Sequence, residues 1–189
     1  MSAVLPLARH KLSVEDYHRM GEAGILGPDS RVELIEGELI DMAPIGSLHM
    51  SAVNTLSTFF VRGIGNAGIV STQNSIRLSS DSEPQPDIAI LRPRHDQYRA
   101  ALPAAADVLL LIEVADTSAA YDGLVKLPLY ASHGIPEVWL FDLKAGRLEV
   151  HSAPRAASYG NVRRFGRQDS VTPGLIQVPP LPLKEIWPD

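Results

Sequence analysis

The sequence predicts a mixed α/β fold in which a central sheet is flanked by helices. Three observations carry this. The run DVLLLIEVA, residues 107–115, is continuously apolar and branched, as a strand covered on both faces must be. A second apolar run, EVWLFDL over 137–143, follows it after a stretch with helical spacing, so the two strands are expected to be parallel neighbours joined by a right-handed crossover. Upstream, residues from Ser47 to about Gly63 repeat their apolar positions at helical intervals.

Each element can be justified in order. Ser13 is a good N-cap with Asp16 three residues on, so VEDYHRMGEAG is expected to be a short helix that stops near Gly21 or Gly24. Gly27-Pro28-Asp29-Ser30 is a turn. In RVELIEGELIDM, Val32 and Leu34 alternate with Arg31 and Glu33, and Leu39 and Ile40 follow after Glu36-Gly37, so a β-hairpin is expected. In the long helix Leu48, Val53, Leu56, Phe59 and Phe60 form the apolar face, and Gly63-Gly65 stops it. GIVSTQNSIRL is expected to be a strand, DSEPQPD a proline-interrupted loop and IAIL a short strand.

Asp122 to His133 is expected to be helical, with Gly134 as its stop. Pro128 lies inside it and should bend or tighten the first turns, because it removes a backbone donor. Asp122, Lys126 and Tyr130 are four apart and share one stripe, with Leu124, Leu127 and Ala131 packing inward. LEVHSA pairs with EVWLFDL after the Lys144-Ala145-Gly146 turn, and short strands and turns are expected from Pro173 to Asp189.

The length of 189 residues, without repeats or a linker, suits one domain spanning 1–189 with its core over about 31–143. The absence of cysteine excludes a disulfide framework and a thiolate metal site, which leaves carboxylates, imidazoles and carbonyls as metal ligands. No apolar run is long enough for a signal peptide or a membrane helix, so a cytoplasmic location without membrane contact is expected. A net charge of −5 argues against coating nucleic acid by bulk charge. Between Lys144 and Arg167, however, six basic residues accompany the single acid Glu149. That stretch is either a phosphate-contacting patch or a solvated, arginine-rich loop.

The chemistry-bearing residues stand out against this apolar background. Asp87 follows Pro86 and opens IAIL, while Glu113 lies deep in LLLIEVA. A carboxylate in so apolar a run is costly unless it is paired or bound to a cation. Side by side, the two would bind Mg²⁺ (or Mn²⁺) together with a carbonyl and waters. Ala115 shares the face of Glu113 where a lysine would point at such a metal, and Lys126 on the following helix can fill the vacancy. Glu33 is a further candidate for the metal or its water. His49, Gln73 and Gln85 are candidate substrate contacts, and the remaining histidines have no metal-ligand spacing.

Pro86-Asp87 followed by Glu113-Val114-Ala115 resembles the PD-(D/E)XK signature of restriction-type nucleases with its third residue altered. The longer pattern PQPDIAIL, LLLIEVADTS and YDGLVKLPLYASHGIPEVWLFDL resembles the Uma2 family of endonucleases over roughly Val32 to Leu143. The resemblance implies a restriction endonuclease-like fold, Mg²⁺ dependence, hydrolysis of DNA phosphodiester bonds and pairing into a homodimer. It also implies a lysine moved to the helix, where Lys126 occupies the matching place, and an acid at Glu33. Two other readings stay open: a catalytically inactive nuclease fold that binds nucleic acid or a protein, and an interaction domain whose acids are structural.

Overall fold

The computed structural model describes residues 9–27 and 29–187. The chain opens on α1 (Val14–Glu22), where Ser13 caps the helix and Asp16 returns the bond to the Ser13 backbone. His18 Nε2 lies 3.0 Å from both carboxylate oxygens of Glu83 and ties this helix to the loop before the sheet. Strands β1 (Val32–Ile35) and β2 (Glu38–Asp41) form the expected hairpin. Glu36 and Gly37 both have positive φ, 48° and 76°, as a two-residue turn of the mirror-image type requires.

Helix α2 runs from Ser47 to Ile64 and buries Ala52, Val53, Leu56, Phe60 and Ile64. Leu48 was expected on this face but is 68% exposed, since its turn precedes the first buried residue, Ala52. The central sheet has six strands in the order β3-β4-β5-β6-β7-β8. They are β3 (Ile69–Thr72), β4 (Ile88–Leu91), β5 (Val108–Ala115), β6 (Glu137–Asp142), β7 (Arg147–Arg155) and β8 (Ser158–Gly166). Only the β5–β6 pair is parallel, as the helical connection between the two requires; the rest are antiparallel. Every residue of β5 is buried.

Alternation along β5 divides the core. Leu110, Ile112 and Val114 face α2, alongside Trp139 and Phe141 of β6. Leu111 faces the other way with Ala89 and Val138, against Tyr130 and Ile135. On the α2 side the C-terminal stretch completes the cover. Its short strands β9 (Ser170–Val171) and β10 (Leu181–Pro182) pair, and the Trp187 ring packs 5.6 Å from that of Phe141. Glu137 anchors this stretch: its buried carboxylate accepts hydrogen bonds from Trp139 Nε1 at 2.6 Å and from the Gly174 amide at 2.8 Å. A methyl group on Gly174 would lie 2.8 Å from that carboxylate, which is why the approach needs glycine.

Five expectations are corrected. The strand over residues 68–78 ends at Thr72, because Gln73 turns the chain with φ +52° and its amide bonds the Asp87 carbonyl. The helix expected from Asp122 begins at Ala119 as α3 (Ala119–Tyr121) and ends as α4 (Leu127–Ser132). Between them Asp122–Lys126 is a π-turn, so the backbone before Pro128 widens rather than tightens. The Leu127 amide reaches back five residues to the Asp122 carbonyl, a looser spacing just where the proline ring disturbs the α-helical ladder. The wider turn carries Leu124 outward, to 79% exposure, while Asp122, Lys126 and Tyr130 stay on one buried stripe. The basic stretch 144–167 is no loop: it contains the whole β7–β8 hairpin, in which Arg164 pairs with Glu149 at 2.9 Å.

Candidate active site

The carboxyl end of β5 and the start of β4 bring the acids together. Ile88 pairs with Ile112, so the next step along the antiparallel register sets Asp87 opposite Glu113. Asp87 Oδ2 accepts the Val114 amide of β5 at 2.9 Å, and Oδ1 lies 3.0 Å from His49 Nε2 at the start of α2. Gln73 Nε2 stands 3.5 Å from the same Oδ1.

Glu113 is 3% exposed. Its Oε1 accepts hydrogen bonds from Tyr130 at 2.5 Å and from Lys126 Nζ at 3.3 Å. The same ammonium lies 3.2 Å from Glu33 Oε2, so Lys126 bridges the hairpin acid and the strand acid. Glu33 also accepts the Tyr121 hydroxyl at 3.1 Å and the Gln85 amide at 3.0 Å. Asp122, one turn before Lys126, accepts the Ser118 hydroxyl at 2.7 Å.

Too many negative charges for one lysine decide the electrostatics. Burial pushes the Glu113 carboxyl up to about 8, with the Lys126 charge opposing and Asp122 and Asp87 adding to the rise. Burial also raises Asp122. Burial works to lower Lys126, but Glu113, Glu33, Asp122 and Asp87 outweigh it and hold the ammonium charged. The hydrogen bond to Asp87 draws the His49 imidazole up from its ordinary value.

Asp87, Glu113, Lys126 and Glu33 all line one cavity of about 280 Å³, together with His49 and Gln85. Gln73 lies behind Asp87 and outside that lining. Sequence reasoning missed Arg31, Tyr121 and Asp116, which also line it. Arg31 opens the segment expected to be the hairpin and Tyr121 directly precedes the expected helix, and those positions were their one available signal. Among the described residues no group of three or more metal-ligating side chains forms a preassembled metal cluster. The donor set still fits Mg²⁺, a cation held by one or two carboxylates and otherwise by water and substrate phosphate. Asp87 and Glu113 are two such carboxylates, set opposite one another on the sheet and lining one cavity.

The fold recurs in a crystal structure described as "a putative nuclease belonging to DUF820 from Anabaena variabilis ATCC 29413". The two superpose with a TM-score of 0.67, covering 93% of this chain and 97% of that one at 14% identity. A search of curated proteins returns no match. Among the described residues no helix is long and apolar enough to cross a membrane. The model of the Uma2 family, "Putative restriction endonuclease", matches residues 14–178. That stretch runs from the first residue of α1 past β9 and takes in the whole six-stranded sheet with every member of the acid–lysine cluster, so the chain belongs to the Uma2 family.

Proposed function

We propose that this protein is a Mg²⁺-dependent endonuclease that hydrolyses DNA phosphodiester bonds, with Mn²⁺ as an alternative cation. One observation carries the reading: Asp87 and Glu113, on neighbouring strands, line the same cavity as the buried Lys126 ammonium. Asp87 and Glu113 would hold the cation. When bound, Mg²⁺ supplies a Lewis acid that activates water and polarises the phosphodiester.

The chain's own groups do the rest. Lys126, fixed by Glu33 and Glu113, places a positive charge where phosphate charge develops. Glu33, 3.2 Å from its Nζ, holds that lysine in place. Arg31, at the exposed rim of the cavity, is the cation open to the non-bridging oxygens of an incoming phosphate. The family name supports nucleic acid as the substrate class. A cytoplasmic homodimer, whose two sites address the two strands of a duplex, completes the proposal, and light scattering checks its mass.

The test is plasmid nicking with Mg²⁺ or Mn²⁺. The parent is expected to nick, Asp87→Ala and Glu113→Ala to lose nicking, and Lys126→Ala to keep the cation and lose turnover. Nicking by Asp87→Ala at the parent's rate would refute the assignment. A second reading rests on the position of Lys126, held within 3.3 Å of two carboxylates. So tightly bound a lysine suits a nuclease fold that grips nucleic acid without cutting it. A metal-dependent shift of DNA in a gel, with no nicking by the parent, would select that reading.

A further inference from the structure

His49 stands in the first turn of α2, a helix clamped to the sheet by Ala52, Val53, Leu56 and Phe60. Its Nε2 lies 3.0 Å from Asp87 Oδ1, and both side chains are largely buried, at 14% and 15% exposure. The other ring nitrogen, Nδ1, is buried and finds no hydrogen-bond partner among the described residues. These facts settle where the hydrogen lies. A proton on Nδ1 alone would be an orphaned buried donor, and it would turn the Nε2 lone pair against a carboxylate. Nε2 therefore carries the hydrogen whether the ring is neutral or charged, and it donates to Asp87.

Two donors thus lie within about 3 Å of Asp87, one on each oxygen: His49 Nε2 at 3.0 Å from Oδ1 and the Val114 amide at 2.9 Å from Oδ2, while Gln73 Nε2 stands off at 3.5 Å from Oδ1. One comes from the main chain of β5 and the other from a packed helix. Two bonds at opposite corners fix the plane of a carboxylate, and about half of its roughly four lone-pair directions remain for another partner. Those directions open on the cavity that Asp87 lines.

We infer that His49 is the positioning residue for Asp87, holding its carboxylate in the plane from which it can take a divalent cation, and is not itself a contact for substrate. The inference rests on the nuclease reading for the identity of the cation. The bond between His49 and Asp87 stands independently of that reading.

Two measurements test it. Long-range ¹H–¹⁵N spectra of the metal-free full chain, recorded where the imidazole is neutral, should show His49 as the Nε2–H tautomer, with signals that move in Asp87→Asn. A neutral Nδ1–H tautomer would overturn the inference. Calorimetric titration with Mg²⁺ should then show His49→Ala binding about 10- to 100-fold more weakly than the parent, the usual cost of removing a group that orients a ligand. His49→Gln, whose side-chain amide keeps a donor near the Nε2 position, should recover most of that loss. Plasmid nicking should follow the same order, and thermal unfolding should confirm that both variants are folded. Equal defects in His49→Ala and His49→Gln, or full affinity in His49→Ala, would overturn the inference. A parent that neither binds Mg²⁺ nor nicks would instead bring down the nuclease reading, while the tautomer would still decide the His49–Asp87 bond.

Discussion

Without a cation, Glu113 should make this protein less stable as the pH rises. The group titrates at about 8 in the folded chain, against an ordinary 4.5, because burial strips its charge of water more than Lys126 can compensate. Between those values the folded state holds a proton that the unfolded state has released. More protons bound to the folded state means that stability falls with rising pH across this window and levels off above it. At about 1.4 kcal/mol per unit, the separation sets a ceiling of about 5 kcal/mol. Water entering the cavity reduces that figure, so a loss of about 2–5 kcal/mol is expected. Urea unfolding in EDTA from pH 5 to 9 measures it, with Glu113→Gln beside the parent. The glutamine keeps an acceptor for Tyr130 and Lys126 but cannot titrate, so the difference between the two slopes isolates Glu113. Mg²⁺ should restore stability most at high pH and should release protons on binding near pH 7, since the cation needs the carboxylate form. A parent whose stability rises over the window, or a variant with the parent's slope, would refute the argument.

Other outcomes follow from the same geometry. Lys126→Ala leaves Glu33 buried without its counter-charge and takes a hydrogen-bond donor from Glu113, and should cost about 3–5 kcal/mol in metal-free urea unfolding, part of it regained with Mg²⁺. Glu137→Ala orphans the Trp139 indole and the Gly174 amide; a loss of about 2–3 kcal/mol is expected, with faster hydrogen exchange confined first to residues after Val171. Ser13→Ala removes the cap of α1 and should cost about 1 kcal/mol by thermal unfolding, leaving nicking unchanged.

The parts of the fold read correctly from sequence are those whose surroundings are uniform. All of β5 is buried, so its composition alone marks it as a covered strand. The stripe of Asp122, Lys126 and Tyr130 survives even the π-turn, because all three point at the same cluster. Strand β8 reads as a loop in the sequence because it is an edge strand with almost every residue exposed, which erases the alternation that identifies strands. The outward turn of Leu124 depends on a backbone irregularity that helical spacing cannot express. Asp87 and Glu113 were legible as acids in apolar runs. The lock between Glu33 and Lys126 was not, since it joins elements 93 residues apart, and the His49–Asp87 bond likewise has no local signature.

The π-turn has a consequence for how such a centre can change over generations. A lysine on a strand can be re-aimed only by slipping the whole register, and a one-residue slip throws every side chain to the opposite face. A lysine on a helix answers to different arithmetic: adding or removing one residue rotates every later side chain by about 100°, and a π-turn absorbs such an insertion within a single turn. Here the acid stays on β5 while Asp122–Lys126 carries the widened turn and the cation. Insertions and deletions in those five residues can therefore aim, withdraw or restore the positive charge while the sheet that holds Asp87 and Glu113 is left as it is.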